Sequence, residues 1–408
     1  MNDYQVEHLK AVWQRMRSPR GDAIKRSLPV GLDGMRAEVW EKNLDAYLGE
    51  IARRIHPKFG GDSHFYRFGP MLRLEQRKSS TGHRIIYIPR LRDQLVLRAM
   101  HDDISRSAGE IGIRLKLPAP TSFVREFREC LTRFPEPWIF RTDIVSFYDS
   151  IPRDRVIEVA EKLPISERTK TLLRHWSASC RARKTGRIHA LEDQVVNGLP
   201  TGLSISSSLS ELWAYEIDRQ IDPSWCYFRY VDDIAVVCRL KEEAEAAQAQ
   251  VERLVHQAGL ALSGKKTEIS CLKNGVTWLG LHHEAQHFTM DPERLERWLR
   301  QFARLTKETS KLLREIDPET DQEHIVREYH KQLRDEISGR TSYRPAWYAM
   351  ADESGEWRAM DRVIHSMIRS IHRQAGIKPP SGKRLPSLHR AMMARKKRQT
   401  ISAPSKAD

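Results

Sequence analysis

Three acidic residues in two apolar settings are where this sequence is equipped for chemistry. Asp143 stands near the end of the apolar run WIFRTDIVSF, residues 138–147, and Asp232 and Asp233 interrupt CYFRYVDDIAVVC, residues 226–238. The second run is β-prone on both sides of the pair, the pattern of a hairpin with acids near its turn. If the two strands are neighbours in one sheet, the three carboxylates converge at one edge. Gathering them away from water is unfavourable unless cations balance them, so the pattern implies metal. Mg²⁺ takes hard oxygen ligands, typically a few carboxylates completed by phosphates and water. Two such ions about 3.5–4 Å apart suit phosphoryl transfer, one activating the attacking hydroxyl and one stabilising the leaving pyrophosphate. The plain alternative is that an Asp at a strand end only makes a turn. That is how we read Asp149, as a structural hydrogen-bonding group.

The elements that must position these acids follow from periodicity and punctuation. Residues 1–29 read as a polar, helical N-terminal extension. GLDG at 31–34 is a turn before an amphipathic helix with Trp40, Leu44, Tyr47, Leu48 and Ile51 on one face. Residues 64–90 read as two strands joined by a polar loop at 78–82, with Ile85 to Ile88 strongly β-prone and Pro89 ending the second. A helix is expected over 92–105, another from Pro152 in its first turn, and a third after GLPTG at 198–202. A helix over 241–258 and short strands in LALSGKKTEISCL and VTWLGLHH come next. Beyond residue 290 the chain turns helical, with Leu295, Trp298, Leu299, Phe302 and Leu305 on one face.

Composition sets the outer limits. The chain has 408 residues and a formal net charge of +15, so a polyanion is its natural partner. No apolar run is long enough to span a bilayer and the N-terminus lacks a signal-peptide core, which predicts no membrane and a cytoplasmic location. Five cysteines without a CxxC pair fit reduced thiols, not a disulfide framework or zinc ribbon. His282, His283 and His287 read as part of a strand and not as a zinc site. Eight Lys/Arg and no acids between Lys378 and Arg398 make a basic tail suited to phosphate contacts.

Six motifs in order, across roughly residues 30–285, resemble those of bacterial reverse transcriptases, relatives of the group II intron and retron enzymes. HRIIYIPRLRDQLVLRAM resembles the fingers block, and TDIVSFYDSI the motif of the first metal-binding Asp. GLPTGLSISSSLSEL resembles the motif that positions template and nucleotide, and YVDD the paired-Asp motif. LSGKKTEI resembles the block with a Lys near the triphosphate, and WLGL the primer-grip hairpin. The resemblance implies an α+β right-hand polymerase with an antiparallel-sheet palm and a helical C-terminal thumb. It implies boundaries of 30–137 for fingers, 138–288 for palm (with finger-side helices at about 152–195), 289–375 for thumb and 376–408 for the tail.

Residue by residue, the resemblance makes Asp143, Asp232 and Asp233 catalytic metal ligands, Asp143 and Asp232 the principal ones and Asp233 a weaker third, joined by the Ile144 carbonyl, for two Mg²⁺ ions with Mn²⁺ as the alternative. Arg84 and Lys266 (with Lys265 as rival) would meet the triphosphate. Tyr148 would stand against the ribose 2′-hydroxyl, favouring dNTPs. Gly202 would let backbone approach the nascent base pair, and Trp278, Leu279 and Gly280 would hold the primer end. Thr201, Ser206, Ser207 and Glu211 depart from the intron pattern, and a motif ending Leu-Ser-Glu-Leu resembles the abortive-infection and other defence-associated reverse transcriptases. The expected function is RNA-directed DNA synthesis from dNTPs in antiphage defence, with a dedicated noncoding RNA as template and DNA as product. Template-independent synthesis, a catalytically silent RNA scaffold and an intron maturase are the alternatives, and the resemblance is compatible with a homo-oligomer.

Overall fold

The computed structural model describes residues 3–18, 27–57, 65–77, 83–115, 120–184, 193–285, 287–316, 322–338, 355–380, 385–387 and 390–391. The loop expected at 78–82 and most of the basic tail lie outside these residues.

The chain opens with helix α1 (Val6–Arg17), the one-turn helix α2 (Ala37–Trp40) and α3 (Leu44–Ile55). Trp13, Trp40 and Tyr47 interlock where these helices meet, the last two rings stacked at 5.3 Å. Strands β1 (Met71–Arg77) and β2 (His83–Ile88) form an antiparallel hairpin, followed by α4 (Leu91–Glu110) and α5 (Pro120–Leu131). Then come β3 (Trp138–Asp143), the short α6 (Phe147–Ser150), α7 (Arg153–Glu161) and α8 (Glu167–Ala178). Pro152 is the residue before α7 and not inside its first turn. Strands β4 (Arg181–Lys184) and β5 (Gln194–Val195) join the first hairpin in a sheet of order β2-β1-β4-β5, β4 running parallel to β1.

Helix α9 (Ser204–Asp218) leads into β6 (Cys226–Tyr230) and β7 (Asp233–Cys238), then α10 (Lys241–Gln257) and β8 (Glu268–Cys271). These strands build the central antiparallel sheet, order β6-β7-β3-β8. Its middle strands are apolar on both sides because both faces are covered. Phe140, Ile234 and Val236 point into a core shared with α9 and α10, whereas Ile139, Ala235 and Val237 point into a second core with Val124 and Phe127 of α5. The period-two alternation of a strand is thus the means by which one sheet serves two cores.

Strands β9 (Val276–Trp278), β10 (Leu281–His283) and β11 (Phe288–Met290) form a small separate sheet. The long helices α11 (Pro292–Glu315), α12 (Gln322–Ser338) and α13 (Gly355–Gln374) follow. Asp291 caps α11 by accepting from the Glu293 amide, with Pro292 as the first helical residue. Trp298, Phe302, Tyr329 and Ile364 extend the second core into these helices. Among the described residues, no helix is long and apolar enough to cross a membrane.

Candidate active site

Asp143 and Asp233 stand directly opposite each other across β3 and β7, in register at the open end of the central sheet. Hairpin β6–β7 closes at the pair Tyr230 and Asp233, so only Val231 and Asp232 make its turn. The Ile144 amide donates to the Asp232 carbonyl at 3.0 Å, which ties that turn to the exit of β3. Sequence-distant acids are therefore neighbours at one edge, as the strand reading required.

The segment after α10 wraps the same edge. The Ser263 amide donates to the Asp143 carbonyl at 2.8 Å and the Val145 amide to the Ala261 carbonyl at 2.9 Å, around an isolated bridge between Ile144 and Leu262. This places the Lys266 ammonium 2.5 Å from Asp143 Oδ2. Lys265 has no such contact among the ion pairs of the described residues, so Lys266 is the lysine brought to the acids. Asp143, Asp233, Lys266 and the 278–280 turn line one cleft of about 340 Å³.

The donor chemistry of this edge suits Mg²⁺. It offers hard carboxylate oxygens, and a cation already sits against one of them. Among the described residues, no three His, Cys, Asp or Glu side chains form a metal cage.

On the other side, α6 follows Asp143 through Val145 and Ser146, the latter in the left-handed region at φ 47°. Half-buried Tyr148 is fixed by its backbone: its carbonyl accepts from the Leu199 amide at 2.8 Å. A Cβ at Gly198 would lie 2.3 Å from the Asp149 carbonyl oxygen, so the GLPTG loop seats on α6 only without a side chain there. Arg153 holds the same loop, donating to the carbonyls of Val196 and Gly198 at 2.7 and 2.9 Å. Gly202, at φ +106°, abuts β2, where the Tyr87 amide donates to the Thr201 carbonyl at 2.9 Å. The closest approach Gly202 makes in the protein is thus to the β1–β2 hairpin. Arg84 is exposed on β2, near Asp149; burial pushes the Asp149 carboxyl above its usual range and Arg84 pulls it back.

Trp278 ends β9 and pairs with Leu281, so Leu279 and Gly280 make a two-residue hairpin turn, both at positive φ of 50° and 77°. Trp278 is buried against Phe127 and Phe228. Arg141 of β3 anchors the turn, donating to the Thr277 carbonyl and pairing with Glu268 at 2.7 Å. His283 is fully buried beside Phe127 and Phe288, and burial, then Arg128, lowers its imidazole to about 3.

Sequence reasoning missed the support behind the paired acids. Val231 has φ 60°, a left-handed conformation that costs a β-branched residue about 1–2 kcal/mol. Arg229, buried on β6, donates to the Val231 carbonyl at 3.0 Å and to Glu211 and Asp218 on α9. Burial alone would lower the guanidinium; the two carboxylates outweigh it and the net shift is upward. Burial likewise raises Glu211, against the pull of Arg229. The signal available was the spacing of Glu211 and Asp218, two helical turns apart on one face, with an Arg just before the YVDD turn.

Residues 76–283, just over half of the chain, match the family described as reverse transcriptase (RNA-dependent DNA polymerase). A Candida tropicalis telomerase truncated from its C-terminal domain aligns with a TM-score of 0.43 and 14% identity, over 55% of this chain and 55% of that one. The chain thus spans about half of that relative. The apo telomerase of Candida tropicalis aligns with a TM-score of 0.46 and 11% identity, over 91% and 72% of the two chains. A structure described as an RdRp complex gives 0.46 and 11%, over 76% and 31%. No curated protein matches the chain.

Proposed function

The chain belongs to the reverse transcriptase family, and from that premise we propose that it is an RNA-directed DNA polymerase extending a DNA strand from dNTPs at the edge of the central sheet. The right-hand polymerase fold goes with the family, and we assign fingers, palm, thumb and tail to 30–137, 138–288, 289–375 and 376–408. The observation that carries the proposal is the register of Asp143 against Asp233, opening into a cleft bounded by Lys266 and the 278–280 turn.

Asp143 and Asp232, with Asp233 as a weaker third and the Ile144 carbonyl, would hold Mg²⁺ or Mn²⁺. Bound divalent ions supply charge neutralisation for the triphosphate and activation of the 3′-hydroxyl. The chain's own residues bind and align. Lys266 brings an ammonium to the cleft for the phosphates, and Arg84 a guanidinium from the β1–β2 hairpin. The rigid seat of α6 on the GLPTG loop holds Tyr148 where a 2′-hydroxyl would meet its ring. Gly202 keeps the loop flush with β2 beneath the base pair, and the Trp278–Gly280 turn holds the primer end. Alignment of this kind is the larger part of what a protein contributes to phosphoryl transfer.

The motif ending Leu-Ser-Glu-Leu, with Glu211, supports the narrower reading: a bacterial antiphage enzyme copying a dedicated noncoding RNA in the cytoplasm. The five free cysteines fit a reducing compartment. The test is primer extension by the purified full-length protein with Mg²⁺, an RNA template and each dNTP singly and together, followed by sequencing of the product and of nucleic acid isolated with the protein from cells. The expected product is DNA complementary to the RNA. Synthesis indifferent to template would point to the template-independent alternative, and phage protection unchanged by Asp232→Asn with Asp233→Asn would leave only a scaffold.

A further inference from the structure

We infer that Glu211 and Asp218 act through Arg229 as positioning residues for the Val231–Asp232 turn, and so set the separation of the acids at the sheet edge. The inference rests on the proposed function, but its physical content concerns the turn. A β-branched residue at φ 60° stays there only when its surroundings hold it. Two backbone contacts do so. The Ile144 amide takes the Asp232 carbonyl, and Arg229 Nη1 takes the Val231 carbonyl, both at 3.0 Å.

The second contact depends on how the guanidinium is aimed. Its Nε lies 3.0 Å from both Asp218 oxygens, and Nη2 lies 2.9 Å from Asp218 Oδ2 and 2.9 Å from Glu211 Oε2. A guanidinium is a rigid planar fork, so fixing it on α9, with Nη1 itself 3.4 Å from Glu211 Oε1, aims Nη1 at the Val231 carbonyl. Tyr227 steadies the arrangement, its hydroxyl donating to Asp218 at 2.8 Å. Arg229 and Glu211 are both buried, at 8% exposure each, so neither can be replaced by water without rearrangement. The network thus links α9, directly after the GLPTG loop, to the turn carrying the paired acids.

The test separates positioning from simple stability. Glu211→Gln keeps the shape and one acceptor but frees the fork. It should lower kcat on a primed template about 10²-fold, with KM for dNTP changed much less. Mn²⁺ affinity of the full-length protein, read by electron paramagnetic resonance, should weaken several-fold in parallel. Glycine adopts positive φ without a hold. Adding Val231→Gly to Glu211→Gln should therefore recover at least tenfold in kcat and most of the Mn²⁺ affinity. Recovery would support positioning. A Glu211→Gln protein with a lower thermal midpoint but normal kcat and Mn²⁺ affinity, or one that Val231→Gly cannot rescue, would overturn it. If Glu211→Gln does not fold, Asp218→Asn, at the more solvent-open end of the network, makes the same comparison. Should the parent protein extend no primer, the proposed function fails, and the Mn²⁺ measurements still decide whether the network sets the acids.

Discussion

The two cores that meet across the central sheet bury their polar groups in opposite ways. Behind the paired acids, on the α9 side, the buried group is a charge held by opposite charges: Arg229 against Glu211 and Asp218. On the side of the β9–β11 sheet and the C-terminal helices, the buried groups include imidazoles, of which burial holds His283 and His330 below the ordinary histidine value. His283 sits among aromatic rings, and His330 meets His372 at 2.9 Å between α12 and α13. A charge network is directional and fixes where one backbone carbonyl points. Imidazoles among rings fill space and give little direction. The difference teaches that the first core fixes where a backbone carbonyl points, and the second mainly fills space.

The sharpest way to break that division is at the edge itself. Asp143→Asn should lower primer extension roughly 10⁴-fold, about 5.4 kcal/mol of barrier. Its urea midpoint should stay close to the parent value, since the lost contact with Lys266 involves a lysine half in solvent. Steady-state extension and urea unfolding on the same preparation check this. A large stability loss with activity retained would reverse the assignment.

Trp278 is the converse probe. Its ring fills space between Phe127 and Phe228, and Trp278→Ala should cost about 3–5 kcal/mol of unfolding free energy. Activity should fall only as far as the primer end loses its support. If chemical denaturation shows a loss below 1 kcal/mol, the aromatic cluster is not what holds this region.

Acid sharpens the contrast. Burial lowers His283 to about 3, and burial with His372 and Arg334 lowers His330 to about 4. Both are neutral when folded and take up protons on unfolding once the pH is below their unfolded value of about 6.5. Their stability contribution is intact above that pH and declines as pH falls toward 4 and 3, by up to about 1.4 kcal/mol per pH unit for each. Burial shifts Glu211 upward, so its folded state takes up a proton at higher pH than an ordinary carboxyl; it adds no loss of folding stability as the pH falls, although that proton weakens its hold on Arg229. Urea unfolding at pH 7.5 and 5.5 should show the loss, and His330→Phe should flatten the slope by about one proton. An unchanged slope would mean that this imidazole is protonated alike in both states.

How much of this was legible in sequence follows the same division. That the strand of Asp143 lies beside the YVDD hairpin could be read from two apolar strands with acids at their ends, but its register, Asp143 opposite Asp233, could not. Gly198 was visible as part of a motif, but its reason, contact with the Asp149 carbonyl, needs the third dimension. Helix α5 carried no motif to announce it, and α4 runs five residues past its expected end to Glu110, carrying Gly109 in its last turn before Gly112 takes a positive φ. Arg229 was hidden for a physical reason. A buried arginine reads as a surface residue until its carboxylate partners, eleven and eighteen positions away, are known to share its side of the sheet.

The smallest expected effect tests whether geometry set on the charged side reaches the sugar. Tyr148 gains its position from backbone contacts, with its carbonyl on the Leu199 amide and its neighbour Asp149 against Gly198, so a shorter side chain should leave α6 in place. Tyr148→Val should therefore keep dNTP incorporation within a few-fold while raising the relative use of rNTPs about tenfold, roughly 1.4 kcal/mol. Competition between one dNTP and its rNTP on a single template position measures this ratio. An unchanged ratio with intact synthesis would make Tyr148 a packing residue of the first core and move discrimination elsewhere in the loop. A joint fall in both nucleotides would instead show that α6 shifted, and Gly198→Ala, which wedges the same seam, should then reproduce it.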